Sequence, residues 1–288
     1  MITLRDSHEI QDSINGTNPV LEKINGGPKG TKILIRDRET GKILQQIHNK
    51  ITVPGGMVTC AKQFGLELPV FLPTYNKELE LEHSHEEYED QPYNTPITCL
   101  WCAGRDGYLS SPGEVVVVSN TDRIEPDDIV PFRYVTGDTD LDKDQREEYF
   151  GRKVMEDGHI AYYFKRFDTT PDMHVRYLDG TEVTDKMWTI DSSQQVEVYV
   201  EFRLAVSRLD FRDYFNKVLG WANADISTVS LLTAWYDATI PEDPEQEEEY
   251  QTRYRWYQDV LPFSKFNFKA EDLSELNRAI DFIYQIYY

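Results

Sequence analysis

The run Ala279-Ile-Asp-Phe-Ile-Tyr-Gln-Ile-Tyr-Tyr288 closes the chain, and its reading decides the fold class. Successive side chains of a strand point to opposite sides, so Ile280, Phe282, Tyr284, Ile286 and Tyr288 share one face. Isoleucine and tyrosine suit a pleated, half-buried surface. Termini fray unless something ties them down, so this segment is expected to be an integral strand of a sheet or a subunit contact. It follows Phe263-Ser-Lys-Phe-Asn-Phe268 after a short polar stretch.

The clearest strand upstream is Gln195 to Ser207. There Val196, Val198, Val200, Phe202, Leu204 and Val206 face one way, while Glu197, Glu201, Arg203 and Ser207 face the other, the pattern of a half-buried antiparallel strand. Thr31-Lys-Ile-Leu-Ile-Arg36, the turn Asp37 to Gly41, and Lys42 to His48 read as an opening hairpin, with Gly41 able to take the positive φ of the turn. Ile97 to Ala103, Glu114 to Ser119 and His159 to Phe167 read as further strands, and His174 to Leu178 as the first arm of a hairpin turning at Asp179-Gly180. Pro54-Gly55-Gly56 is expected to break the chain before a short helix over Met57 to Phe64 that ends at Gly65. Phe211 to Leu219 reads as a second short helix ending at Gly220, and Asp225 is placed to cap a third over Ile226 to Leu232.

These elements predict a mainly β chain: an antiparallel β-sandwich-like domain with a few short helices and long acidic loops. The loops are 76–92, 136–148 and 241–249. Residues 1–31 are polar and rich in turn residues and read as an N-terminal arm; with no fixed-period repeat and no Gly/Ser linker, residues 32–288 are expected to form a single elaborated β-rich domain.

Lys plus Arg number 30 against 51 Asp plus Glu, a formal net charge of −21. Such a field repels phosphate backbones and anionic membranes, so neither nucleic acid nor a membrane is expected as a direct partner. No apolar stretch approaches the roughly 20 residues needed to span a bilayer, and Met1-Ile-Thr-Leu-Arg-Asp-Ser-His8 lacks a signal peptide's apolar region, so a cytoplasmic origin is expected. Three cysteines in 288 residues are no disulfide framework.

No constellation carries chemistry on its own. Cys99-Leu-Trp-Cys102 has the spacing of zinc knuckles and redox pairs, but a zinc site needs a second pair, and residues three apart on a strand point to opposite faces. His83-Ser-His85 lies among Glu82, Glu86 and Glu87 without a second cluster to complete a metal site. Asp138, Asp140, Asp142 and Asp144 alternate like the first ligands of a calcium loop, yet Lys143 stands where such a loop needs Gly and Tyr149 where it needs Glu. Gly26-Gly-Pro-Lys-Gly-Thr-Lys32 departs from the phosphate-loop pattern. No nucleophile elbow is present, and no cofactor, metal or catalytic residue is assigned. A β-fold glycosidase would still be able to hide its carboxylate pair, since such pairs need only proximity in space.

With 18 Tyr, 13 Phe and 5 Trp, aromatic surfaces are the remaining signal. Trp235-Tyr236 and Arg253-Tyr-Arg-Trp-Tyr257 flank the last acidic stretch. Trp235, Tyr236, Trp256 and Tyr257, with Tyr284, Tyr287 and Tyr288 of the closing strand, are the candidate interface or ligand-stacking residues.

His48-Asn-Lys-Ile-Thr-Val-Pro-Gly-Gly56, Ala103-Gly-Arg-Asp-Gly107, Arg208-Leu-Asp-Phe211 after the long strand, and the closing Phe-Ser-Lys-Phe-Asn-Phe and Ile-Tyr-Gln-Ile-Tyr-Tyr together resemble tailed-bacteriophage virion structural proteins of the neck, tail, baseplate or fibre-attachment type. The resemblance runs diffusely from about residue 32 onward and transfers no catalytic residue. It implies a non-enzymatic structural subunit of a phage particle, assembled in the host cytoplasm into a homo-oligomer that contacts other virion structural proteins. The alternative is a carbohydrate- or receptor-binding virion component.

Overall fold

The computed structural model describes residues 30–49, 51–66, 74–81, 97–105, 107–111, 114–117, 124–167, 171–178, 180–183, 196–220, 224–236, 257–272 and 279–288. Their strands are β1 (Gly30–Asp37), β2 (Ile43–Asn49), β3 (Ile97–Gly104), β4 (Tyr108–Ser111), β5 (Glu114–Val117), β6 (Ile129–Val130), β7 (Arg133–Val135), β8 (Tyr149–Val154), β9 (Ile160–Arg166), β10 (Asp172–Tyr177), β11 (Val196–Ala205), β12 (Asp225–Tyr236), β13 (Tyr257–Asp272) and β14 (Ile280–Tyr287). They build a five-stranded sheet in the order β10-β11-β14-β1-β2 and a larger sheet in the order β13-β12-β3-β9-β7, with β6 beside β3 and β8 beside β9. Every pairing is antiparallel.

The closing run is therefore a strand, and an interior one. β14 lies between β1 and β11, in register from Gly30 opposite Tyr287 to Asp37 opposite Ile280 on one side and from Tyr199 opposite Tyr287 to Ala205 opposite Asp281 on the other. β1 starts at Gly30, two residues before the domain boundary expected at 32.

The two sheets pack face to face, which makes the architecture a β-sandwich. Ile280, Phe282, Tyr284 and Ile286 of β14 meet Phe266 and Phe268 of β13 and Trp101 of β3 in one buried cluster. The Phe266 ring meets Tyr284 edge-on at 4.6 Å, and Trp101 meets Phe282 at 6.1 Å. Each such side chain contributes about 1.5–3 kcal/mol by leaving water, so this aromatic seam holds the two sheets together with the aliphatic residues of the same cluster.

The larger sheet is buried on its other face too. Leu100, Cys102, Phe164, Leu232 and Val260 form a second cluster with Tyr75, Leu79 and Leu81. The Tyr75 hydroxyl donates to Ile124 O at 2.9 Å, and Asn76 Oδ1 accepts from the Val260 N–H at 2.8 Å. The expected acidic loop at 76–92 thus opens with a short helix, Tyr75–Glu78, and Tyr75 with the following Leu79 and Leu81 covers the sheet. Its acidic part, residues 82–92, lies outside the described residues, as does 241–249. The expected loop at 136–148 likewise holds a helix, Lys143–Glu148, capped by Asp142.

Two helix expectations need correction. Residues Asp225 to Leu232 are not a capped helix but the start of β12. β12 lies between β13 and β3 and is covered on both faces, and its register against β13 shifts at three places, so its serines and threonines keep no strict period of two and the run mimics a helical stripe. Its buried hydroxyls find partners instead: Ser230 Oγ donates to Ser264 O at 3.1 Å, and Thr233 pairs with Thr98 at 2.8 Å. Pro54-Gly55-Gly56 does not break the chain either; the helix runs over Val53–Phe64. Proline is tolerated in a first turn, and the Thr52 hydroxyl caps the helix by accepting from the Gly55 N–H at 3.1 Å. Gly55 is required there, because a Cβ would lie 1.9 Å from Phe263 O. Gly65 ends the helix at φ 62°, as expected. The Phe211 to Leu219 stretch is helical, a single turn at Arg212–Tyr214 leading into a π-helical turn at Phe215–Leu219.

Candidate functional site

Two polar arrangements stand out: a buried ion pair between the sheets and an aromatic ladder on an open sheet face. Sequence reading missed the first, because its members are far apart in the chain.

Lys165 on β9 and Asp210, in the turn after β11, are both buried and lie 2.7 Å apart. The ammonium also reaches Glu148 Oε1 at 2.9 Å and donates to Ala205 O at 2.8 Å. Asp210 accepts from the Tyr149 hydroxyl at 2.6 Å and from the Ser207 N–H at 2.7 Å. Burial, then the neighbouring Asp210 and Glu148 carboxylates, push the Tyr149 hydroxyl far above its ordinary range. Lys165 also lies 5.9 Å from the Trp101 ring centre and 5.6 Å from that of Tyr149. The Lys165 ammonium has three donors, and three acceptors meet them, so the pair acts as a clamp: it ties β8 and β9 of the larger sheet to the end of β11 in the smaller one. Phe211 follows at φ 65°, held there by its N–H on Phe132 O at 2.7 Å and its ring 4.6 Å from that of Phe132.

Three of the four alternating aspartates have structural duties. Asp138 accepts from Arg152 Nε at 3.0 Å and Nη2 at 2.9 Å, and from the Tyr162 hydroxyl. Asp140 accepts from Thr136, and Asp142 caps the Gln145 N–H at 2.9 Å. Among the described residues, no group of three or more His, Cys, Asp or Glu side chains is placed to hold a metal ion. Cys102 is buried within β3, and Cys99 is half-buried; His83 and His85 lie outside the described residues.

The outer face of the five-stranded sheet differs from both faces of the larger sheet. Neither buried apolar cluster includes a residue from it. The β-sheet alternation puts Tyr287, Gln285, Ile283 and Asp281 of β14 on this face, with Tyr199, Glu201 and Arg203 of β11 beside them. The rings of His174, Tyr199 and Tyr287 stack in sequence across three strands, at 5.0 Å and 5.4 Å. Arg176 lies over both tyrosines, 4.9 Å from the Tyr199 ring centre, while its Nε donates to Glu197 at 3.0 Å and its Nη2 to the Tyr287 hydroxyl at 3.1 Å. The Tyr287 hydroxyl passes on to Gln285 Oε1 at 2.7 Å, and Gln285 Nε2 to Glu201 at 2.6 Å. The ladder's side chains are fixed by these bonds, so little side-chain entropy remains in them to be lost. Burial raises the Tyr287 and Tyr199 hydroxyls above the ordinary tyrosine value; Glu197 adds to the shift at Tyr287 and Glu182 at Tyr199.

The seven candidate stacking residues therefore separate. Tyr287 belongs to this ladder, and Tyr288 next to it is exposed, its backbone N–H on Val198 O. Tyr284 is a correction: it is fully buried, its ring 5.2 Å from that of Phe202, because even-numbered residues of β14 face the core. Tyr288 shares that parity but lies past the edge of the core. Trp235 is half-buried at the far end of β12, opposite Gln258, and Tyr236 pairs with Tyr257 one step further. Trp256 lies outside the described residues. Among the described residues, these candidates thus fall on two elements, the closing strand and the far end of β12 with its β13 partner.

No family model, curated protein or solved structure matches the chain.

Proposed function

We propose that the chain is a non-enzymatic structural subunit that works through protein–protein contacts, and that it serves in a tailed-phage particle at the tail, baseplate, neck or fibre-attachment region as a homo-oligomer. The observation that carries the reading is the outer face of the five-stranded sheet, with its ordered ladder of His174, Tyr199, Tyr287 and Arg176. Tyrosine and arginine are the residue types that dominate protein contacts. The ladder's rings stack on one another and under Arg176, which favours a protein partner over a sugar that would need an open ring face. The buried Lys165–Asp210 pair supports the same reading, since its groups are spent on joining the sheets.

The phage assignment rests on the sequence resemblance alone, and the large negative charge is in keeping with a subunit that stays soluble until it assembles. It is tested by probing purified particles, grown from the genome that encodes the chain, with an antibody raised against it. A stoichiometric band that co-purifies with intact particles is expected; absence from the particles refutes the virion assignment. For the carbohydrate-binding alternative, a glycan array is the corresponding measurement.

A further inference from the structure

The same sheet face carries opposite charges at its two ends. At one end, Asp281 is completely buried and three arginines surround it: Arg36 Nη2 at 2.9 Å, Arg38 Nε at 2.8 Å and Arg203 Nη1 at 3.9 Å. Their side chains are 35%, 36% and 41% exposed, so the corner stays open to solvent. Among the described residues of this corner, one carboxylate meets three guanidiniums and leaves two positive charges in excess, in a chain whose net charge is −21. Arg208, two-thirds exposed, adds to this corner next to Glu39, 3.9 Å away. Arg38 Nη2 also donates to Val206 O at 3.2 Å, which anchors the cluster to the end of β11.

At the other end, six residues along β14 and about 20 Å away at the usual rise of a strand, the carboxylates of Glu182, Glu197 and Glu201 surround the Tyr199–Tyr287 stack. Arg176 bonds Glu197 there, and Lys32 of β1 and Asp172 of β10 lie on the same face, opposite Gln285 and Glu201. Among the described residues, four carboxylates against two cations leave two negative charges. Between the ends, Leu34 and Ile283 are paired in register on β1 and β14, half-exposed and outside both buried clusters. The face therefore reads positive, apolar, negative along the strand direction.

We infer that this face binds a second copy of the chain in a two-fold arrangement, with the strands of the two β14 segments running antiparallel across the interface. The inference rests on the subunit reading above and names the contact it uses. A two-fold axis in the plane of the interface and perpendicular to β14 reverses the strand direction. It brings the arginine corner of each copy over the glutamate end of the other and stacks the apolar middles together. An isologous contact requires a self-complementary patch, and the opposite charge excesses on this face meet that requirement. The crowding of three guanidiniums on one carboxylate is a like-charge cost in the single chain, and the partner's glutamates relieve it.

The test is a charge swap with a built-in rescue. Glu197→Arg with Glu201→Arg makes both ends positive, and Arg203→Glu with Arg208→Glu makes the arginine corner negative like the other end. None of these four side chains lies in the apolar core, and circular dichroism checks that each variant is folded. Each variant alone is expected to self-associate roughly a hundredfold more weakly than the wild type, the scale of several like-charge contacts. An equimolar mixture is expected to regain association, because both of its contacts are again between opposite charges. Wild-type association is also expected to weaken as salt is added. Oligomers that survive both charge reversals, a mixture that shows no rescue, or association indifferent to salt overturns this contact and leaves the subunit reading standing. A wild-type chain that never self-associates overturns both.

Discussion

The hydroxyl of Tyr284 on β14 crosses the interior of the sandwich and donates to Ser264 Oγ on β13, 2.5 Å away. It is a direct side-chain hydrogen bond between the two sheets, made where water is excluded, and it explains why a tyrosine stands among isoleucines and phenylalanines. Burial drives the Tyr284 hydroxyl well above the ordinary tyrosine range, because an ionised oxygen has no water to solvate it there. Tyr284→Phe keeps the ring against Phe202 and Phe266 and removes only the bond, so a loss of about 1 kcal/mol is expected in urea unfolding. Tyr284→Ala also empties the seam and is expected to cost about 3–5 kcal/mol.

The Lys165–Asp210 clamp behaves differently when cut from one side or from both. Asp210→Asn or Lys165→Met leaves a buried charge without its main partner and is expected to cost about 3–5 kcal/mol. Changing both to apolar residues of similar volume is expected to cost less than the sum of the two single changes. A double-mutant cycle by chemical denaturation measures the difference, and simple additivity would contradict the clamp.

Stability at high pH follows from three tyrosines whose hydroxyls ionise later when folded than when unfolded. Tyr163 is pushed up to about 12 by burial, and Tyr149 and Tyr284 further still, from the ordinary 10.0. Below the unfolded value both states hold the proton, and stability does not change with pH through these groups. Above it the unfolded chain loses protons that the folded chain keeps, so stability falls as the pH rises from 10.0 through the folded values. Denaturant midpoints across that range are expected to drop, with tyrosinate absorbance appearing in the same transition as unfolding. Absorbance that rises while the chain stays folded would contradict the buried placement.

Gly55 admits no side chain without movement. Gly55→Ala would place a Cβ against the Phe263 carbonyl, and backbone cannot swing aside as a side chain can, so the helix Val53–Phe64 has to shift off β13. A destabilisation of about 1–3 kcal/mol is expected, against a near-neutral effect for Gly56→Ala, where nothing lies within 4 Å. Paired thermal melts of the two variants check this.

The fold was legible where one face of an element meets water. β11 and β14 keep large apolar residues at every second position, and the opening hairpin carries its own turn signal in Asp37, whose carboxylate accepts from the Thr40 N–H at 2.8 Å, and in Gly41 at φ 69°. β12 was not legible, because it is covered on both faces and its register shifts at three places, so its serines and threonines mark no constant face. Tyr75, Leu79 and Leu81 were hidden for the opposite reason: a few apolar residues beside a long acidic stretch give too little pattern to show that they cover a sheet. The site divides in the same way. Tyr287 could be picked out by its place in an aromatic strand, but Tyr284 has the same chemistry and only parity separates the two. His174, Arg176 and Tyr199 join Tyr287 through the register of three strands, which no local spacing encodes. The arginine corner likewise combines Arg36, Arg38 and Arg203 with Asp281 from opposite ends of the chain.

The most direct test of the central claim, that this chain is an assembling subunit, is the mass of the purified full chain in solution by light scattering coupled to size exclusion, over a range of concentrations. A discrete oligomer whose mass is an even multiple of the single chain is expected, as the two-fold contact on the β14 face requires. A single-chain mass at every concentration would contradict the account.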